Sequence, residues 1–475
     1  MAAVSPLVIA LLATAVFRRP AHLAALFGIA VTIAVVVFVP NFTTSATELT
    51  RALAAAGLIS LSAAAVIVPG LYLNQQLTER HIHTRLVEWT DALPLRAPQK
   101  SALIVVGVAP ALESMTGFGM SLLVTVPLLM AVTRRETALR QSLLSMNIMP
   151  WGTLGLATLV GSTLSGQELG ALALSTAVVS MLVFPLFGAL SSAMAVVNNS
   201  SERRRAIVSG SMLGSVFSLA LLGMNWLGFV ELAGVCAGIA TVLVGLWLFA
   251  PSKALILPPR EAMRPYALIF SLVVLLRVAP LVGIPVDAAA LNAGNVAFNP
   301  LTSPGIALVA TVLILGRGRL RTDHVHATAL RAWKPILTLT TFTVMAQVMV
   351  ASSMVTSISE SLPVDNPLLY LFVAVLIGMA SGYLTGSGVG GNALMLPMQS
   401  GIGAQMGHPL LFSAVQNSAA GHTVFASMPI VLLTLAIAGE GKKGEDTQLV
   451  RFSLMTSVGV YAALLLGSAG LYVLL

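Results

Sequence analysis

Charge is the scarcest ingredient of this sequence. Asp, Glu, Lys and Arg together make up 9% of its 475 residues, whereas a soluble domain carries about 25%. So small a charged fraction cannot cover a water-facing surface, which excludes a soluble enzyme, a disordered scaffold and a nucleic-acid-binding domain. Cysteine is nearly absent too. The single Cys236 lies in an apolar run, which rules out a disulfide framework, a Cys-based zinc site and a Cys-X-X-Cys redox pair. No basic stretch precedes the apolar run from Ala2 to Phe17, so that run reads as a first membrane segment rather than a cleavable signal.

What the chain has in abundance is apolar surface. Hydrophobic residues make up 57% of it and the mean hydropathy is +0.93, the composition of an all-α polytopic membrane protein. Lipid offers no partner to open backbone groups, so the spans must be helices, each of about 20 residues for a core of about 30 Å. Apolar runs near 2–17, 21–40, 52–73, 142–164, 169–196, 206–225, 227–250, 265–283, 303–316, 335–356, 409–438 and 452–475 predict about 12 transmembrane helices. Two further stretches, 101–132 and 368–400, are interrupted by Gly-rich centres. Each is too long for one crossing and too short for two.

The basic residues decide how those two stretches run. If both are re-entrant hairpins, all of the 25 Lys and Arg residues except Arg51 and Arg277 fall on one side of the membrane. That asymmetry is the positive-inside pattern, so that side is cytoplasmic. It also accounts for the net charge of +8 without any nucleic acid. Segment 74–100 is polar enough to lie on the cytoplasmic surface, and His81, His83, His324 and His326 fall in cytoplasmic segments with no special role.

The interrupted stretches also share a pattern. Met115-Thr116-Gly117-Phe118-Gly119 corresponds to Leu384-Thr385-Gly386-Ser387-Gly388. Pro127 and Pro397 follow, then Asn147 and Asn417, each trailed six residues later by Thr153 or Thr423. Four matches in register predict an internal repeat. Each half then holds three spans, a hairpin and two spans, with opposite starting sides. The expected domains are a first inverted repeat over 1–196, a two-helix linker over 197–264 and a second repeat over 265–475. Inverted repeats with glycine-broken segments at matching positions point to a secondary transporter whose site lies at the midplane.

At such a tip the chain leaves the helix, glycine permits close approach, and the helix N-terminus favours an anion. Thr116, Gly117, Phe118, Gly119, Asn147, Thr385, Gly386, Ser387, Gly388, Asn392, Asn417 and Thr423 are therefore the candidate substrate-binding residues. Scattered glycines such as Gly155, Gly161, Gly210 and Gly214 read as helix packing. Gly386, Gly388 and Gly391 fit G-x-G-x-x-G, but no strand precedes them and no acid follows until Glu440, so the dinucleotide reading falls. No cofactor is implied. Glu113 sits among apolar residues three positions before the first tip, where a carboxyl group marks a proton or ion path or ties the hairpin together. His422 is the second candidate for proton coupling, against a purely structural role. Arg277 reads as half of a structural pair.

Glu113-Ser114-Met115-Thr116-Gly117-Phe118-Gly119 resembles the E-x-x-x-G-F-G segment of the L-lactate permease family. Thr385-Gly386-Ser387 followed by Asn392-Ala393-Leu394 resembles its T-G-S-x-x-x-x-N-A-L segment. The resemblance implies an elevator-like, proton-coupled carrier of L-lactate, D-lactate, glycolate or a related small organic anion in a bacterial inner membrane, with a homodimer as the candidate assembly. Gly388-Val389-Gly390-Gly391 stands where members carry an acid and hydroxyls. Na⁺ coupling therefore stays open beside protons. Two other classes stay open as well: a channel, and an intramembrane serine hydrolase using Ser387 and His422.

Overall fold

The computed structural model describes all residues except Met1, Arg18, Phe118, 251–255, 286–288, Asn295 and 362–365. It is helical nearly throughout. Seven described helices are long and apolar enough to cross a membrane, and the pair Leu169–Ser180 and Val183–Met194, bent by 42°, makes an eighth if counted as one span. The polarity is inverted relative to a soluble protein. Phe38, Leu219 and Val458 on outer faces are 63–79% exposed, while Glu113, Gln141, Asn147, Asn392, Gln416, Asn417 and His422 are fully buried. An exterior that is apolar around a hydrogen-bonding interior suits lipid, and the chain is an integral membrane protein.

The expected crossing at 142–164 is not one helix. It is built as Arg135–Leu144 and Leu156–Ser165, separated by a non-helical stretch through Asn147, Pro150 and Gly152. The expected span 409–438 stands as one candidate crossing, interrupted by a 3-10 turn at Val424–Ala426 between Pro409–Thr423 and Met428–Ala438. Positive φ at Gly152, Leu154 and Gly155 marks the first interruption, and at the second Pro429, in the first turn of the restarted helix, lacks the N–H that would continue the ladder. A second departure from an all-α reading is a two-stranded ribbon, Leu291–Ala293 paired antiparallel with Val296–Phe298. Segment 74–100 also departs from a simple surface loop: Ala46–Glu79 runs on as one helix, and Ile82–Asp91 follows it with Ile82, Leu86 and Trp89 buried.

Both interrupted stretches fold as antiparallel helical hairpins. In the first, an arm from Ala97 to Thr116, π-helical over Ile104–Val108, turns at Gly117–Ser121 into Leu122–Val132. The two ends of this hairpin lie together: Ser192 Oγ donates to the Pro98 carbonyl at 2.9 Å, and Gln141, bonded to the Ser191 carbonyl at 2.7 Å, accepts from Thr133 at 3.1 Å. In the second, Pro367–Thr385 turns through Gly386 and Ser387 into Gly388–Gln405. Gln399 closes its far end, donating to the Ala374 carbonyl at 3.0 Å and accepting from Tyr370 Oη at 3.1 Å.

Other ties join loops that the charge pattern assigns to one face. Arg135 donates to Glu445 (3.1 Å) and to the carbonyls of Ala438 (2.8 Å) and Gly439 (2.9 Å), and Trp89 Nε1 donates to the Ile256 carbonyl at 2.9 Å. On the opposite face Ser400 Oγ donates to the Ser165 carbonyl at 3.2 Å. Arg277, also there, donates through Nε to Glu231 at 3.0 Å, which is the structural pairing expected of it.

Candidate substrate site at the hairpin tips

Each tip rests on the broken helix of its own half. Gly117, a helix C-cap at φ +69°, lies so close to Thr153 that a Cβ there would fall 1.6 Å from the threonine Oγ1. A Cβ on Gly386 (φ +65°) would meet Pro429 at 3.1 Å and Ser427 Oγ at 3.4 Å. Each tip also touches the broken helix of the other half: Gly119 faces Ile430 and Leu433, and Gly388 faces the Met149 carbonyl and Gly421. Two hairpin tips and two helix breaks thus converge on one region.

The first tip carries its own carboxyl group. Glu113, fully buried, folds over the turn and accepts from the Gly119 amide at 2.8 Å, the Ser121 amide at 3.2 Å and the Ser121 hydroxyl at 2.7 Å. These are donors of the turn leading into the following arm, whose N-cap is Ser121, and groups of this kind are expected to face a substrate carboxylate. The second tip has no such acid. Aligning Thr116 with Thr385 places Gly382 opposite Glu113, and a Cβ at Gly382 would lie 1.9 Å from the Ala420 carbonyl oxygen. Its donors are capped only by Ser387, whose Oγ accepts from the Gly390 amide at 3.3 Å, while Thr385 Oγ1 donates to the carbonyls of Ser381 (2.8 Å) and Ser387 (2.9 Å).

Asn392 and Asn417 come together just behind the second tip. Asn392 Nδ2 donates to Asn417 Oδ1 at 2.7 Å and to the Ala157 carbonyl at 3.1 Å; Asn417 Nδ2 donates to Thr158 at 3.2 Å and Thr176 at 3.1 Å. Gly161, read from the sequence as packing, leaves the space that Asn392 fills, its Cβ position lying 3.2 Å from Asn392 Nδ2. Gly210 does pack, its Cβ position lying 2.1 Å from the Gly188 carbonyl oxygen.

Other candidates are placed differently. Asn147 sits in the first break and donates to the Val105 carbonyl at 2.8 Å in the π-helical segment, so it does not mirror Asn417. Thr116 donates to the Leu112 carbonyl at 2.8 Å and Thr423 to the Ala419 carbonyl. Both hydroxyls are spent within their own helices, and Ser427 rather than Thr423 lies against the second tip. His422 turns its ring to Phe184 (centroids 5.4 Å apart), and neither ring nitrogen has a partner among the described residues. The pairing with Ser387 that a hydrolase needs is not formed. Phe118 lies outside the described residues.

Sequence reasoning missed Ser121, Ser427 and Arg331. Ser427-Met428-Pro429 carried a legible signal, a small polar residue and a proline at a helix restart. Arg331 had been counted among cytoplasmic charges. It sits on the helix Thr322–Ala351, one turn before Pro335, and lines a cavity of about 360 Å³ that reaches Gly119 and Met120 at the first tip.

Residues 268–472, which hold the second hairpin and the second broken helix, match the family model of L-lactate permease. That match takes in less than half of the chain, whose second part is similar to this family. Glycolate permease GlcA of Escherichia coli (strain K12) is 28% identical over 261 residues, covering 53% of this chain and 44% of that protein, so the match takes in less than half of the relative's length. Among solved structures, the YdaH transporter of Alcanivorax borkumensis matches over 83% of this chain and 88% of its own at 18% identity, with a TM-score of 0.34, too low to equate the two folds.

Proposed function

We propose that the chain is a proton-coupled secondary transporter of a small organic anion, such as L-lactate, D-lactate or glycolate, in a bacterial inner membrane. The observation that carries this reading is the Glu113 carboxylate held on the donors of the first tip. A protonated carboxyl group has an O–H of its own and less acceptor capacity. Protonation of Glu113 therefore releases Gly119 and Ser121 donors to an incoming carboxylate, so that proton and anion bind together. Ser387, Gly388 and the neighbouring amides of the second tip hold the other end of the substrate, and Thr385, Gly386, Asn392 and Asn417 shape that tip. Gly117 and Phe118 complete the first, and Asn147 and Thr423 brace the helix breaks. His422, with both ring nitrogens unpartnered, is the second proton-binding candidate. Arg331 in the cavity beside the first tip draws anions towards it.

This reading takes 1–196 and 265–475 as inverted repeats joined by the helices of 197–264, with both hairpins re-entrant and an elevator-like movement of the hairpin-bearing part, in a homodimer. Its support is the matching hairpin and broken helix in each half. The test is uptake of labelled lactate or glycolate into proteoliposomes. Accumulation should follow an inward proton gradient and vanish when the gradient is collapsed. Accumulation that follows a Na⁺ gradient at constant pH would assign coupling to Na⁺ instead.

A further inference from the structure

A second cavity, of about 800 Å³, has no tip residue in its wall. It is framed by the end of the helix Ala46–Glu79, the start of Arg260–Val278, the end of Pro304–Leu315 and the loop beyond it. Six arginines line it: Arg80, Arg85, Arg264, Arg317, Arg319 and Arg321. The two acids in its wall are already engaged, Glu79 with Arg321 and Glu261 with Arg85, and Arg80 donates to the Leu315 carbonyl. Arg264, Arg317 and Arg319 make no side-chain hydrogen bond or ion pair among the described residues, and the buried Nδ1 of His324, also in the wall, has no partner there. The remaining wall holds Gln76, whose Nε2 donates to the Val312 carbonyl and whose buried Oε1 has no partner among the described residues, with the apolar Leu268 and the 55% exposed Ile314.

The positive-inside pattern accounts for basic residues on this face, but not for three unpaired guanidinium groups gathered into one recess beside the half-buried Leu268 and the exposed Ile314. Guanidinium groups pair with phosphate oxygens through parallel N–H donors, and basic recesses between membrane helices suit acidic headgroups whose acyl chains run along the protein. We propose that this cavity is a binding site for a phosphate group, supplied by an anionic phospholipid: the headgroup lies on Arg264, Arg317 and Arg319, and an acyl chain lies along Leu268 and Ile314.

The experiment is thermal unfolding of the full chain in mild detergent with added phosphatidylglycerol, phosphatidylcholine or inorganic phosphate, with lipid retention read by native mass spectrometry. Phosphatidylglycerol should raise Tm and stay bound, and phosphatidylcholine and phosphate should do neither. The triple variant Arg264→Gln, Arg317→Gln, Arg319→Gln should lose the shift. The triple variant Arg203→Gln, Arg204→Gln, Arg205→Gln removes as many charges elsewhere on the same face and should keep it. Equal shifts with both lipids, a shift that survives in the first triple variant, or its loss in the second would overturn the site. A full shift with phosphate alone would overturn the lipid source.

Discussion

In the proposed function Glu113 combines two roles that the sequence could only pose as alternatives. Its carboxylate ties the first tip through three donors, and for that reason its protonation state can be coupled to the tip's affinity for an anion. Glu113→Gln mimics the protonated form in shape. It is expected to bind substrate with little dependence on pH while losing net accumulation, measured as binding by calorimetry and uptake under a proton gradient. Glu113→Ala leaves buried donors unpaired, each at about 1–3 kcal/mol, and is expected to melt below Glu113→Gln. Gly382 marks the same contrast from the other half. Gly382→Ala places a methyl 1.9 Å from a backbone oxygen and should sharply reduce folded protein in detergent, whereas Gly223→Ala, with nothing within 4 Å, should not. Away from the membrane spans, burial pushes the His83 imidazole down from 6.5 to about 4. The unfolded chain takes up that proton first, so the stability this group contributes is complete above pH 6.5 and is lost as pH falls towards 4. His83→Gln should flatten the dependence of Tm on pH across that window.

At the scale of elements, the hairpins owe their form to local sequence and their position to distant partners. A glycine turn between apolar arms was legible at 117–119 and 386–388 because glycine there takes a positive φ at Gly117, Gly119 and Gly386. The broken helices were not legible as broken, since their apolar runs are continuous enough to read as spans and the interruption depends on what packs into the gap. Asn392 and Asn417 were legible as polar residues near the site, yet their mutual bond was not. A double-mutant cycle of Asn392→Ala and Asn417→Ala, read by thermal or denaturant unfolding, is expected to show coupling of about 0.5–3 kcal/mol, as for residues sharing one network. Additive losses would remove the node from the account of the second tip.

For the whole molecule, the ties between loops agree with the charge pattern on which faces they share. With Cys236 replaced, single cysteines introduced at Ala92 and Glu136 are expected to react with an impermeant maleimide from one side of the membrane and one at Ala404 from the other. Labelling of Ala92→Cys and Glu136→Cys from opposite sides would mean that the first hairpin crosses the bilayer.

Composition and charge placement determined by themselves that this chain lives in a membrane, and the glycine pattern that two of its segments are broken. Those properties are local or additive along the chain, and a bilayer penalises exceptions heavily. Only the tertiary structure decided that Glu113 fills the first tip, that Gly382 bars an acid from the second, and that Ser427 replaces Thr423 beside it. Hydrogen bonds and close contacts between segments far apart in sequence depend on how helices pack, and residue periodicity carries no record of the partner across the gap.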